Sequence, residues 1–79
     1  MQKVQFYTKD HCPLCEEAFA LVKMLQFEYE FELEEIDIYK DDALLEKYQL
    51  LIPVVKANGK ELNCEQINIA SLENIIKKS

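Results

Sequence analysis

Seventy-nine residues suffice for one domain, residues 1–79, and not for two. A hydrophobic fraction of 49% with 30% charged residues suits a soluble globular chain and excludes a disordered one. Nine lysines, no arginine and a net charge of -6 exclude the basic face that nucleic acid or an anionic lipid surface requires, so neither nucleic acid nor membrane is expected as a partner.

The first periodic segment is Lys3–Thr8. Val4 and Phe6 alternate with Gln5 and Tyr7, which predicts a strand. Lys9, Asp10 and His11 lead to Cys12-Pro13. Proline is favoured as the first helical residue, because the N–H it lacks would go unpaired there in any case. Glu16 and Glu17 fall in the first turn, where the helix dipole favours acids. Leu14, Ala18, Leu21, Val22 and Leu25 recur at helical spacing, predicting an amphipathic helix that ends near Phe27. Phe31–Ile38 reads as a second strand whose apolar phase switches between Leu33 and Ile36; a bulge or an early strand end would explain the switch. Asp41 and Asp42 are placed to cap a short helix carrying Leu44, Leu45 and Tyr48. Ile52-Pro53 opens a third strand, Val54–Ala57. Asn58-Gly59 is the preferred two-residue hairpin turn, since both positions tolerate positive φ, and Lys60–Cys64 is the return strand. Asn68 caps a last helix with Leu72, Ile75 and Ile76 inward and Lys77 and Lys78 at its C-terminus. The order is β-α-β-α-β-β-α. A right-handed crossover makes the first two strands parallel, and the hairpin adds two antiparallel ones. The expectation is an α/β domain with a four-stranded mixed sheet flanked by helices. Tyr7, Phe19, Phe27 and Tyr48 are expected in the core or at its edge.

Three cysteines are odd in number, and two stand three apart, at Cys12 and Cys15. That is the pattern of working thiols in a reducing compartment rather than of a structural framework. No N-terminal signal segment and no apolar run of membrane length is visible, so the cytoplasm is the expected location. A thiol attacks a disulfide only as thiolate. A helix start stabilises that form through its unpaired N–H groups and its dipole. Cys12 falls at the N-cap and Cys15 one turn inside. The second sulfur therefore reaches the first, closing a redox-active disulfide and releasing whatever Cys12 has captured. If the pKa drops from roughly 8.5 to about 7, the thiolate fraction at pH 7 rises about 16-fold. Lower basicity weakens each thiolate roughly 5-fold, leaving about a 3-fold gain as attacker; the larger gain is as leaving group. Lys9 favours the thiolate, Asp10, Glu16 and Glu17 oppose it, and His11 favours it when protonated.

These residues resemble glutaredoxins, and among them the short glutaredoxin-like proteins of bacteria. The resemblance covers nearly the whole chain. It rests on Phe6-Tyr7-Thr8-Lys9, Cys12-Pro13-Leu14-Cys15-Glu16-Glu17-Ala18, Ile36-Asp37-Ile38, and Tyr48 through Val55 with its Ile52-Pro53. A C-P-x-C between a strand and a helix, with I-P-V roughly forty residues on, is far more specific than a lone C-x-x-C. The resemblance implies a thioredoxin-type fold and a cis Ile52-Pro53 peptide beside the two thiols, with Ile52 offering backbone groups to an extended substrate. It implies that Lys9 holds a carboxylate of glutathione, and that Pro13, Leu14, Ile52 and Pro53 border the substrate. The chain departs from the family in three places. Leu14 stands where glutaredoxins commonly have Tyr, and Leu51-Ile52-Pro53 where they have Thr-Val-Pro. Leu62-Asn63-Cys64-Glu65-Gln66 lacks the Gly pair that grips glutathione.

The expected activity is that of a thiol–disulfide oxidoreductase in electron transport and cell redox homeostasis, with Cys12 attacking and Cys15 resolving. Its expected substrate is a disulfide-containing protein or a small-molecule thiol. Its donor is a reductase or glutathione, and no cofactor or metal is bound to a monomeric chain. Two rival readings use the same residues. His11, Cys12, Cys15 and Cys64 are four ligands by type for a metal or iron–sulfur cluster, although a closed zinc site usually pairs two knuckles and only one C-x-x-C exists here. The other rival is a thioredoxin-fold interaction domain with incidental thiols. Taken singly, Cys64 reads as a half-buried strand-end residue, His11 as a residue shaping its turn, and Lys9 as a solvated charge.

Overall fold

Val4 and Phe6 of the first strand face one way and Tyr7 the other, and both directions are covered by helices. This is seen in a computed structural model that describes residues 2–77. Strand β1 is Gln2–Thr8, helix α1 Pro13–Leu25 and strand β2 Phe31–Asp37. Helix α2 is Asp42–Tyr48, strands β3 and β4 are Val54–Ala57 and Lys60–Leu62, and helix α3 is Ile69–Ile76. The sheet order is β2-β1-β3-β4, with β1 and β2 parallel and the other neighbours antiparallel. This is the thioredoxin-type β-α-β-α-β-β-α arrangement expected from the sequence.

Packing assigns the faces. Phe6 meets Phe19 of α1 edge to face, with ring centroids 5.2 Å apart. Tyr7, one residue on and so on the opposite face, stacks on Tyr48 of α2 at 4.7 Å. The core runs through Val4, Phe6, Val22, Val54, Val55, Leu72 and Ile76, none of which reaches solvent. Full burial of each such side chain contributes about 1.5–3 kcal/mol.

Capping follows the sequence. Asp41 accepts the N–H groups of Ala43 and Leu44 at the start of α2. Asn68 and Ser71 form a reciprocal capping box on α3. At the hairpin, Asn58 and Gly59 take φ of 52° and 78°, and the Asn58 amide donates to the Ile75 carbonyl at 2.8 Å, tying the turn to α3.

Two expectations change, those for Phe27 and for the end of β4, and others gain detail. The phase switch in β2 is not a bulge: Leu33 and Ile36 lie on opposite faces of one unbroken strand, both half-buried against the core, and only Ile38 falls beyond its end. The parallel register runs unbroken from Gln2 with Phe31 to Thr8 with Asp37, and Ile38 then turns into the core from a short 3-10 helix, Ile38–Lys40. Phe27 is not at the core edge but 92% exposed. Helix α1 stops at Leu25, and a residue two positions further lies about 200° round the axis, on the solvent side. Tyr29 closes that end instead, half-buried with its hydroxyl donating to Glu73 at 3.0 Å. Strand β4 ends at Leu62 and not at Cys64, because the Asn63 and Gln66 side chains fold Asn63–Gln66 into a hydrogen-bonded turn. Finally, Lys77 is the C-cap residue of α3, while Lys78 lies outside the described residues.

Candidate active site

Strand β1, inside the sheet, ends at Thr8, and three residues carry the chain from there to α1. The last of them, His11, sits at φ 56°. Left-handed backbone is uncommon outside glycine, though histidine is among the residues enriched there. The turn delivers Cys12 in extended conformation (φ -124°, ψ 98°) as the N-cap of α1. Its carbonyl accepts the Glu16 N–H at 3.0 Å, and its Sγ accepts the Cys15 N–H at 3.2 Å. A sulfur therefore does what a serine or aspartate oxygen usually does at a helix start. Charge on that sulfur is stabilised by the same N–H and by the dipole of α1.

The Cα atoms of Cys12 and Cys15 are 5.2 Å apart, and their sulfurs are in disulfide contact. Both residues are mostly buried, Cys12 at 8% exposure and Cys15 at 2%. An incoming group therefore has more access to Cys12. The Ile52-Pro53 peptide is cis. The Ile52 N–H donates to the Tyr48 carbonyl at 3.1 Å, so what Ile52 leaves for a partner strand is its carbonyl.

Helical periodicity divides the surroundings of α1 into two flanks. On one, a cleft reaching both sulfurs is lined by Thr8, Lys9, Asp10, His11, Glu16, Phe19 and Glu35. On the other, a groove is formed by Leu14, Glu17, Ala18, Leu21, Pro53, Cys64 and Ile67. Leu14 is 60% exposed at its rim, and Leu50 and Leu51 are exposed just before Ile52. The predicted residues are thus split. Lys9 accompanies the sulfurs in the charged cleft, Leu14 and Pro53 share the groove across α1, Ile52 is buried next to Pro53, and Pro13 is exposed at the first position of α1. Cys64 lies in the groove, across α1 from His11. Among the described residues no three His, Cys, Asp or Glu side chains are grouped as metal ligands, so the four-ligand set considered from the sequence is not assembled.

Sequence reasoning did not find Glu35 and Phe19 in the cleft, nor Leu21 and Ile67 in the groove. Glu35 arrives through the parallel register, opposite Phe6, which no local pattern encodes. Phe19 carried a signal, one turn beyond Cys15 on the same helix face.

Comparison with known proteins adds the family. Residues 3–77 match the model of the Glutaredoxin-like domain (DUF836). The chain belongs to the glutaredoxin-like family. A solved relative, protein Ne2328 from Nitrosomonas europaea, is 34% identical over 78% of this chain and 73% of its own, with a TM-score of 0.66. Protein XcR50 from X. campestris is 25% identical over 90% of this chain and 96% of its own, with a TM-score of 0.70. A glutaredoxin (grx-1) from Archaeoglobus fulgidus is also 25% identical, over 99% of this chain and 89% of its own, with a TM-score of 0.66. This glutaredoxin-like domain therefore shares the thioredoxin-type fold and carries a closely spaced cysteine pair at its helix start. No helix among the described residues is long and apolar enough to cross a membrane.

Proposed function

We propose that this glutaredoxin-like protein is a thiol–disulfide oxidoreductase in which Cys12 attacks and Cys15 resolves. The observation that carries the reading is the Cys12 sulfur at the N-cap of α1, accepting the N–H of the cysteine one turn away. In the reduced form the Cys12 thiolate attacks one sulfur of a substrate disulfide. The Cys12–substrate bond forms, the substrate S–S bond breaks, and the other substrate sulfur leaves as thiolate. Cys15 then loses its proton to solvent and attacks the Cys12 sulfur, expelling the second substrate thiolate and closing the Cys12–Cys15 bond. Two electrons pass to the substrate, and its two sulfurs leave as thiols after protonation by water. Two thiol equivalents, from glutathione or from a dithiol reductase, restore the protein. Pro13, Leu14, Ile52 and Pro53 border the path of the substrate, and Lys9 stands on the opposite flank.

The test is equilibration against a series of reduced and oxidised glutathione, with alkylation and mass readout. A single two-electron transition between the free dithiol and a Cys12–Cys15 bridge is expected. A Cys12→Ser variant that turns over disulfides at the full rate would overturn the assignment. So would protein isolated anaerobically with stoichiometric zinc or iron on these cysteines.

A further inference from the structure

The reading as an oxidoreductase leaves the nature of the disulfide open, and the charge around the sulfurs bears on it. The cleft that reaches Cys12 and Cys15 presents three carboxylates, Asp10, Glu16 and Glu35, against one ammonium, Lys9. All four side chains are exposed at its rim. Three different elements supply the acids. Asp10 comes from the turn after β1, Glu16 from the first turn of α1, and Glu35 from β2 through its register with Phe6. Behind them, Asp37 and Lys40 add one charge of each sign. The groove on the other flank of α1 holds Glu17 and no cation. Negative charge therefore exceeds positive in the cleft that reaches the sulfurs and in the groove across α1, within a chain of net charge -6. A concave site lined by one sign of charge concentrates partners of the other sign and repels its own. Each glutathione unit carries two carboxylates and one ammonium, so glutathione disulfide meets this rim with the wrong charge, and Lys9 is outnumbered.

We infer that the preferred substrate is a disulfide flanked by cationic groups, with Asp10, Glu16 and Glu35 as the residues that determine the preference. The inference rests on the oxidoreductase reading. The reaction is the one described above. The reduced protein supplies both electrons and becomes the Cys12–Cys15 disulfide, and the cationic disulfide leaves as two thiols. The acids act through their field on the approaching substrate. They also oppose thiolate formation at Cys12. That second effect is common to all substrates, so it cancels in a ratio of rates.

The experiment measures second-order oxidation of the reduced protein, by acid quench, alkylation and mass readout, with four small disulfides. These are cystamine (two ammoniums), bis(2-hydroxyethyl) disulfide (neutral), 3,3′-dithiodipropionate (two carboxylates) and glutathione disulfide. Each rate is divided by that of dithiothreitol with the same disulfide, which removes intrinsic reactivity. Cystamine is expected to exceed dithiodipropionate by about tenfold at low ionic strength, and the advantage falls to about twofold or less near 0.5 M salt. Glutathione disulfide falls below the neutral compound. In the Asp10→Asn, Glu16→Gln, Glu35→Gln triple variant the ratio moves to within about twofold of one at low ionic strength. Two disulfide-linked peptides, one flanked by lysines and one by glutamates, separate the sources. A lysine peptide faster than cystamine marks a basic protein segment as the substrate, and a slower one marks a small amine. A normalised ratio near one at low salt in the parent protein, or an unchanged ratio in the triple variant, overturns the inference while leaving the oxidoreductase reading intact. Failure of all these disulfides to oxidise Cys12 overturns the oxidoreductase reading itself.

Discussion

The molecule uses left-handed backbone at both ends of its sheet, and the two ends differ in what that backbone is for. At one end Asn58 and Gly59 turn β3 into β4 with residue types that accept positive φ easily, and the Asn58 amide also satisfies a carbonyl of α3. At the other, His11 takes φ 56° in a turn whose purpose is to present a sulfur at a helix start. The hairpin end holds the fold together. The cysteine end holds a reactive group in place at some cost in conformational energy, which is where such backbone concentrates in functional proteins. The comparison teaches that one backbone device serves the fold at one end of the sheet and presents a reactive group at the other.

Variants at each end can break that contrast. The largest expected effect is chemical: Cys12→Ser takes disulfide reduction to background, while urea unfolding of the reduced proteins shows the two to be similarly stable. A large loss of stability together with activity would make Cys12 a structural residue. Next is Asn58→Ala, which leaves alanine at positive φ and removes the bond to Ile75. It is expected to cost about 2 kcal/mol by urea unfolding, with the rate per folded molecule unchanged. That is a large share of what a domain of this size possesses. An altered rate per folded molecule would erase the distinction between the ends. His11→Val places a β-branched side chain at φ 56° and is expected to cost about 1–2 kcal/mol, while His11→Gly stays within about 0.5 kcal/mol of the parent. Equal stability of the two variants would show that the turn before Cys12 carries no strain.

The smallest effect at neutral pH concerns the stacked tyrosines between the two ends. Tyr48→Phe removes a hydroxyl that donates to Glu61 at 3.0 Å and is expected to cost about 1 kcal/mol. Its signature is the pH profile. Burial and then the hydrogen bond to Glu61 raise the Tyr48 phenol above its ordinary value of 10.0. Burial and then the neighbouring Tyr48 raise Tyr7. A raised phenol means that the fold prefers the neutral form. The stabilisation is complete below pH 10 and is lost as pH rises through the higher folded values. Tyr48→Phe therefore shows a shallower alkaline loss of stability than the parent, measured by urea titration on both sides of pH 10. An identical slope would mean that Tyr48 ionises in the fold as freely as in the unfolded chain.

The site was partly legible for reasons specific to its residues. Cys12-Pro13 announced itself because proline at a first helical position and acids in the first turn are local preferences, and the pair spacing needs only one helical turn. The C-P-L-C and I-P-V segments carried the family resemblance. Phe27 leaves the expected core because α1 ends at Leu25 and the chain turns there, so its aromatic character alone does not decide its direction. The phase switch in β2 is visible in the sequence but its cause is not, since only a strand covered on both faces buries Leu33 on one side and Ile36 on the other.

Sequence alone settled which segments are the main strands and helices to within a few residues, which residue caps the start of each α-helix, where the hairpin turns and that two thiols stand one turn apart at a helix start. All of these depend on residues close together in the chain. Only the tertiary structure decided that Glu35 shares a cleft with the sulfurs, that Cys64 lies across α1 from His11, and that Tyr29 rather than Phe27 closes the first helix. Strand register and helix docking decide those placements, and both are set by how distant faces pack together rather than by any neighbour in the chain.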